Sequence, residues 1–110
     1  MKNIKEVLDE IITHNSVVLF MKGSINFPLC GFSGKAVKLL RNCGVSNIYC
    51  VNVLEDDRIR QGIKDYSNWP TIPQLYINSE FIGGVDIMSE LYDNGELKNI
   101  LNSVKNENQE

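Results

Sequence analysis

The run Ser16-Val17-Val18-Leu19-Phe20-Met21 constrains this chain more than any other stretch. Five consecutive apolar residues, two of them β-branched, lack the alternation of a half-wet strand. They suit a strand buried on both faces. A strand of that kind needs neighbours beside it and helices above and below, which points to an α/β architecture.

The flanking sequence supplies those elements. Ile4, Val7, Leu8, Ile11 and Ile12 recur at helical spacing, predicting an amphipathic helix over about 2–14. Gly23 through Leu29 form a loop containing Pro28. A second helix follows, with Val37, Leu40 and Cys43 on one face and Gly44 closing it. Ile48 to Val53 is another apolar strand. Asp56 and Asp57 favour a helix start, and Ile59, Ile63 and Tyr66 form that helix's inner face. Two strands joined through a helix imply a right-handed βαβ unit with parallel strands.

After Trp69-Pro70-Thr71-Ile72-Pro73 the pattern changes. Gln74 to Ile77 and Phe81 to Gly83 read as a hairpin turning at Asn78-Ser79-Glu80. Asp86 is placed to cap a helix carrying Ile87, Leu91 and Tyr92, interrupted at Asn94-Gly95. Leu97, Ile100, Leu101 and Val104 continue an apolar helical face, and from about Lys105 a polar, frayed tail is expected. The order α-β-α-β-α-β-β-α-α predicts a thioredoxin-like α/β fold over 1–110 as one domain. Its four-stranded mixed sheet is flanked by helices on both faces.

Charge and cysteine count narrow the chemistry. A net charge of −3 leaves no electrostatic footprint for nucleic acid or an anionic membrane, and no apolar run reaches membrane-spanning length. Three cysteines exclude a full disulfide framework, and no CxxC occurs. Free thiols in a reducing compartment are the simpler reading. The N-terminal residues lack the character of a targeting segment, so the chain is expected to be cytoplasmic. The mitochondrial matrix is the alternative if such a segment has been removed.

Cys30 stands just before the second helix, where the helix dipole and the amides of Gly31, Phe32 and Ser33 favour a thiolate, with Lys22 placed to add an ammonium. Such surroundings bring a cysteine pKa to roughly 3.5–7.5. The plainer alternative is a buried structural thiol, and that reading suits Cys43 and Cys50, which sit on apolar segments. Trp69 is expected in the core, as large aromatics usually are. Phe32 is left between shielding a ligand and packing at a helix start.

The segments "MKGSINFPLCGFS" and "NWPTIPQLYINSEFIGGVDIMSEL" resemble the monothiol glutaredoxins of the CGFS type. The resemblance runs from the first helix to about Leu101. It rests on Lys22-Gly23, Pro28, Cys30-Gly31-Phe32-Ser33, Trp69-Pro70-Thr71, Pro73-Gln74 and Gly83-Gly84, in that order. Ser79 departs from the family, which usually has glycine in that turn. The resemblance implies a glutathione site at Lys22, Cys30, Arg60, Ile72, Val85 and Asp86. Lys22 and Arg60 would meet the glycyl carboxylate, and Asp86 with nearby amides the γ-glutamyl end. Ile72 precedes Pro73, a cis proline in this family, and its backbone would pair with the tripeptide like an added strand. Taken singly, Lys22 and Arg60 also read as solvated surface charges, and Asp86 as only a helix cap.

The resemblance further implies a [2Fe–2S] cluster bridged between two protomers. Cys30 and a glutathione from each side would complete the four ligands such a cluster takes. The expected function is iron–sulfur cluster carriage by a cluster-bridged homodimer, with BolA-type proteins and apo iron–sulfur recipient proteins as partners. The alternative is an enzyme: a glutathione-dependent thiol-disulfide oxidoreductase using Cys30 alone. The resemblance implies that this activity is weak.

Overall fold

The computed structural model describes residues 2–108. In chain order it contains α1 (Ile4–His14), β1 (Val17–Met21), α2 (Gly31–Asn42), β2 (Tyr49–Asn52), α3 (Asp57–Ser67), β3 (Gln74–Ile77), β4 (Glu80–Gly83), α4 (Val85–Asp93) and α5 (Glu96–Asn108). The four strands form one sheet in the order β2-β1-β3-β4. β1 runs parallel to β2 and antiparallel to β3, and β3 pairs antiparallel with β4. The element order and the mixed sheet are those expected from the sequence. No helix among the described residues is long and apolar enough to cross a membrane.

β1 is buried along its whole length, and its two faces serve different cores. Val17, Leu19 and Met21 pack with residues of α2, α4 and α5, including Leu40, Met88, Leu97 and Leu101. Val18 and Phe20 face the other way, toward Leu8 and Ile12 of α1 and Ile63 of α3. Strand alternation sends successive side chains into opposite layers, so the uninterrupted apolar run is what a central strand in a three-layer fold requires. Full burial of a Leu, Ile or Phe side chain contributes about 1.5–3 kcal/mol. Across the outer face of the second core, the Tyr66 hydroxyl donates to Asp9 Oδ1 at 2.6 Å, joining α3 to α1. That bond, with burial, pushes the Tyr66 pKa up to about 12.

Helix ends follow local chemistry. Asn3 accepts from the Glu6 N–H and Asp56 from the Arg58 N–H, each at 2.9 Å, satisfying donors that a first turn leaves open. The hairpin turn holds Asn78 (φ 50) and Ser79 (φ 68), two consecutive residues in the left-handed region. That is the type I′ pattern favoured between twisted strands. The helix after β4 corrects one expectation. Gly84 is its N-cap and Asp86 lies inside the first turn, so Asp86 is not the cap. At the other end the backbone of α5 is helical to Asn108. The fraying expected from about Lys105 is therefore not seen in the backbone up to Asn108, and residues 109–110 lie outside the described residues.

Candidate functional site

Cys30 is the N-cap of α2, in extended conformation, with the Gly34 N–H donating to its carbonyl at 2.9 Å. A closed loop delivers it there. Ser24 and Phe27 exchange backbone hydrogen bonds at 3.1 Å, and the Leu29 N–H donates to the Lys22 carbonyl at 3.0 Å. From β2, Asn52 Oδ1 accepts from the N–H groups of Gly23 and Leu54, both at 3.0 Å. Gly23 has φ +94, and a Cβ there would lie 2.5 Å from both the Phe27 oxygen and the Leu29 nitrogen. Only glycine lets the loop close in this way. Lys22 and Cys30, eight positions apart, are thereby held at the mouth of one structure.

The Cys30 pKa is lowered. The backbone N–H of Ser33 is the main cause, supported by the Phe32 N–H, the Lys22 charge and the Ser33 hydroxyl; partial burial opposes them. Cys43 and Cys50 behave in the opposite sense, because burial raises both. Of the three cysteines, the one whose pKa is lowered is the one at the helix start.

A cavity of about 380 Å³ opens beside Cys30. All six residues singled out in the sequence line it: Lys22, Cys30, Arg60, Ile72, Val85 and Asp86. They come from five places in the chain. Lys22 follows β1, Cys30 precedes α2, Arg60 lies on α3, Ile72 precedes β3, and Val85 and Asp86 open α4. The Ile72–Pro73 peptide bond is cis. Arg60 lines the cavity, while its Nε is buried and has no hydrogen-bond partner among the described residues. The volume falls within the range of small-molecule sites, roughly 300–1,000 Å³.

Lys64, Phe32, Pro70 and Thr71 also line the cavity and were not assigned to it from sequence. Lys64 lies one helical turn after Arg60, a spacing that places both cations on one face of α3 and could have revealed it. Phe32 is 64% exposed, which settles its role against the core. Trp69 also corrects an expectation. It is 38% exposed, its ring centroid lies 6.0 Å from that of Phe81, and it lies outside both core clusters. Its Nε1 comes within 3.2 Å of where a Cβ on Gly84 would stand, so the missing side chain at Gly84 makes room for the indole.

Among the described residues, no three His, Cys, Asp or Glu side chains gather where they could hold a metal ion. Cys30 is the one cysteine lining a cavity whose wall also carries the cations Lys22, Arg60 and Lys64.

The glutaredoxin family model matches residues 17–82. A monothiol glutaredoxin of Synechocystis, itself uncharacterized, is 54% identical over 97 residues, covering 88% of this chain and 90% of its own length. Monothiol glutaredoxin-5 of Saccharomyces cerevisiae, described as mitochondrial, is 49% identical over 100 residues, covering 89% and 67%. Among solved structures, reduced apo GrxS14 of poplar superimposes with a TM-score of 0.78 at 48% identity, covering 91% of each chain. The chain belongs to the glutaredoxin family, among its monothiol members of the CGFS type.

Proposed function

We propose that the protein binds glutathione in the cavity beside Cys30 and carries a [2Fe–2S] cluster between two protomers. The carrying observation is that Cys30, its pKa lowered, shares one cavity with the cationic side chains Lys22 and Arg60. Glutathione brings two carboxylates, an amine and two peptide groups. Lys22 and Arg60 hold the glycyl carboxylate, and Lys64 adds a third positive charge. The Ile72 backbone pairs with the peptide portion. Asp86 and the open amides of the first turn of α4 receive the γ-glutamyl end.

Cys30 fits one ligand position of the cluster, and its lowered pKa suits coordination, which requires the thiolate. A cluster of this type takes four ligands, so the rest come from the partner's Cys30 and two glutathione thiols. When bound, the cluster is cargo for delivery to apo iron–sulfur proteins, and BolA-type proteins are further partners. The compartment is a reducing one, the cytoplasm, with the mitochondrial matrix as the alternative.

A second reading rests on the same low pKa. The Cys30 thiolate attacks the glutathione sulfur of a mixed disulfide and expels the substrate thiolate. A second glutathione thiolate then attacks the Cys30–glutathione disulfide, releasing glutathione disulfide and restoring Cys30. Both readings need Cys30. They differ in whether iron and sulfide are retained.

The test is anaerobic reconstitution with iron, sulfide and glutathione. Cys30→Ser is expected to lose the charge-transfer absorption, while Cys43→Ser and Cys50→Ser retain it. Absorption that persists in Cys30→Ser overturns the assignment.

A further inference from the structure

Among the described residues, Ser33 and Gln74 are the two buried polar side chains of the core. Gln74 opens β3, opposite Phe20 of β1, and is 0% exposed. Its Nε2 donates to the Trp69 carbonyl at 3.1 Å and to the Thr71 carbonyl at 3.2 Å, which uses both N–H groups of the side-chain amide. Its Oε1 is buried with no partner among the described residues. Burial of an unsatisfied polar atom is unfavourable, and what offsets it here is the pair of donors held on the Trp69 and Thr71 carbonyls, which an apolar side chain could not supply. Polarity here therefore serves direction rather than packing.

That direction bears on the cavity wall. A trans peptide is planar, and its C=O and N–H point opposite ways. The Thr71 carbonyl shares a plane with the Ile72 N–H. Gln74 draws the carbonyl inward, so the Ile72 N–H is turned outward, away from the buried amide. The Trp69 carbonyl gives the same loop a second anchor. Pro70, Thr71 and Ile72, all on the cavity wall, lie between or beside the two anchors.

We propose that Gln74 is a positioning residue of the glutathione site: from the core it sets the orientation of the 69–72 loop, so that the Ile72 backbone meets the peptide groups of glutathione. The inference rests on the glutathione reading above.

Gln74→Met keeps length and approximate volume and removes both donors. Trp69 is the only tryptophan in the sequence, so its fluorescence anisotropy decay reports loop motion without any ligand. In folded Gln74→Met, fast local motion of Trp69 is expected to grow. Glutathione affinity by calorimetry is expected to fall about three- to tenfold, the size of one or two lost backbone alignments. The pH profile of Cys30 alkylation stays where it was, because α2 holds the thiolate. A merely structural role would lower the melting temperature and leave affinity per folded molecule unchanged.

Gln74→Glu covers the case in which the methionine variant does not fold. Its protonated form keeps one donor, so affinity relative to wild type is expected to fall as pH rises through that carboxyl's pKa. Wild-type binding alongside unchanged affinity in Gln74→Met overturns the role of Gln74 alone, as does a pH-independent affinity ratio in Gln74→Glu. Failure of the wild type to bind glutathione overturns the parent reading, and the Gln74 role falls with it.

Discussion

The Ser33 hydroxyl accepts a hydrogen bond from the backbone N–H of Lys22 at 3.0 Å, tying the end of β1 to the first turn of α2. Ser33 is fully buried, and its backbone N–H and hydroxyl both favour the Cys30 thiolate. The residue standing where a dithiol protein would carry its second cysteine is therefore a structural tie and a thiolate donor together. Serine performs both tasks and cannot form a disulfide with Cys30.

Ser33→Ala separates those tasks. It keeps the backbone N–H and loses the hydroxyl, so the Cys30 pKa should rise only part of the way back toward the ordinary thiol value of about 8.5. Iodoacetamide alkylation against pH measures that shift. The Lys22 N–H loses its acceptor, which costs about 1 kcal/mol at any pH. A lowered thiol pKa adds stability above the ordinary value, and that stability is lost as pH falls through the folded value. The variant's deficit in urea melts should therefore be larger near pH 9 than near pH 5, by roughly the share the hydroxyl contributes.

Lys22→Ala and Arg60→Ala should each weaken glutathione binding. Hydrogen bonds to charged groups contribute about 1.5–3 kcal/mol, or roughly ten- to a hundredfold in affinity. Lys64→Ala should cost less, since its expected part is charge alone, and its effect should shrink with added salt. Calorimetry at two salt concentrations distinguishes these outcomes. Unchanged affinity in the Lys22/Arg60 double variant would remove both from the site.

Ser79→Gly should stabilise the protein by up to about 1 kcal/mol. The left-handed conformation at φ 68 is unfavourable for a residue with a Cβ and open to glycine. The Ser79 hydroxyl bond to the Ile12 carbonyl is 3.4 Å long, so little is lost with it. Thermal unfolding checks the sign. A destabilised variant would mean that this long bond outweighs the backbone.

These residues also show where sequence reading succeeds and where it stops. β1 was legible because burial on both faces leaves an unbroken apolar run, and Cys30 because a helix start is a local feature. Asp86 was misread as a cap because Gly84, which has no capping side chain, takes that position two residues earlier. Trp69 was misread because composition favours aromatic burial, whereas its indole rests at the surface beside Gly84 and Phe81. The Tyr66–Asp9 bond spans 57 positions, and Gln74 reaches back to carbonyls of a preceding loop. Neither carries a periodic signal, since each depends on how packed elements meet.

With a single Cys30 per chain, cluster binding and dimerisation are expected to be one event. Sedimentation velocity on protein reconstituted anaerobically with iron, sulfide and glutathione tests it most directly. The expected result is a coloured dimer that returns to monomer when the iron is chelated. It should not form when glutathione is withheld and no other small thiol replaces it. A cluster-bearing monomer, or a dimer equally stable without iron and glutathione, would contradict the bridged-carrier account.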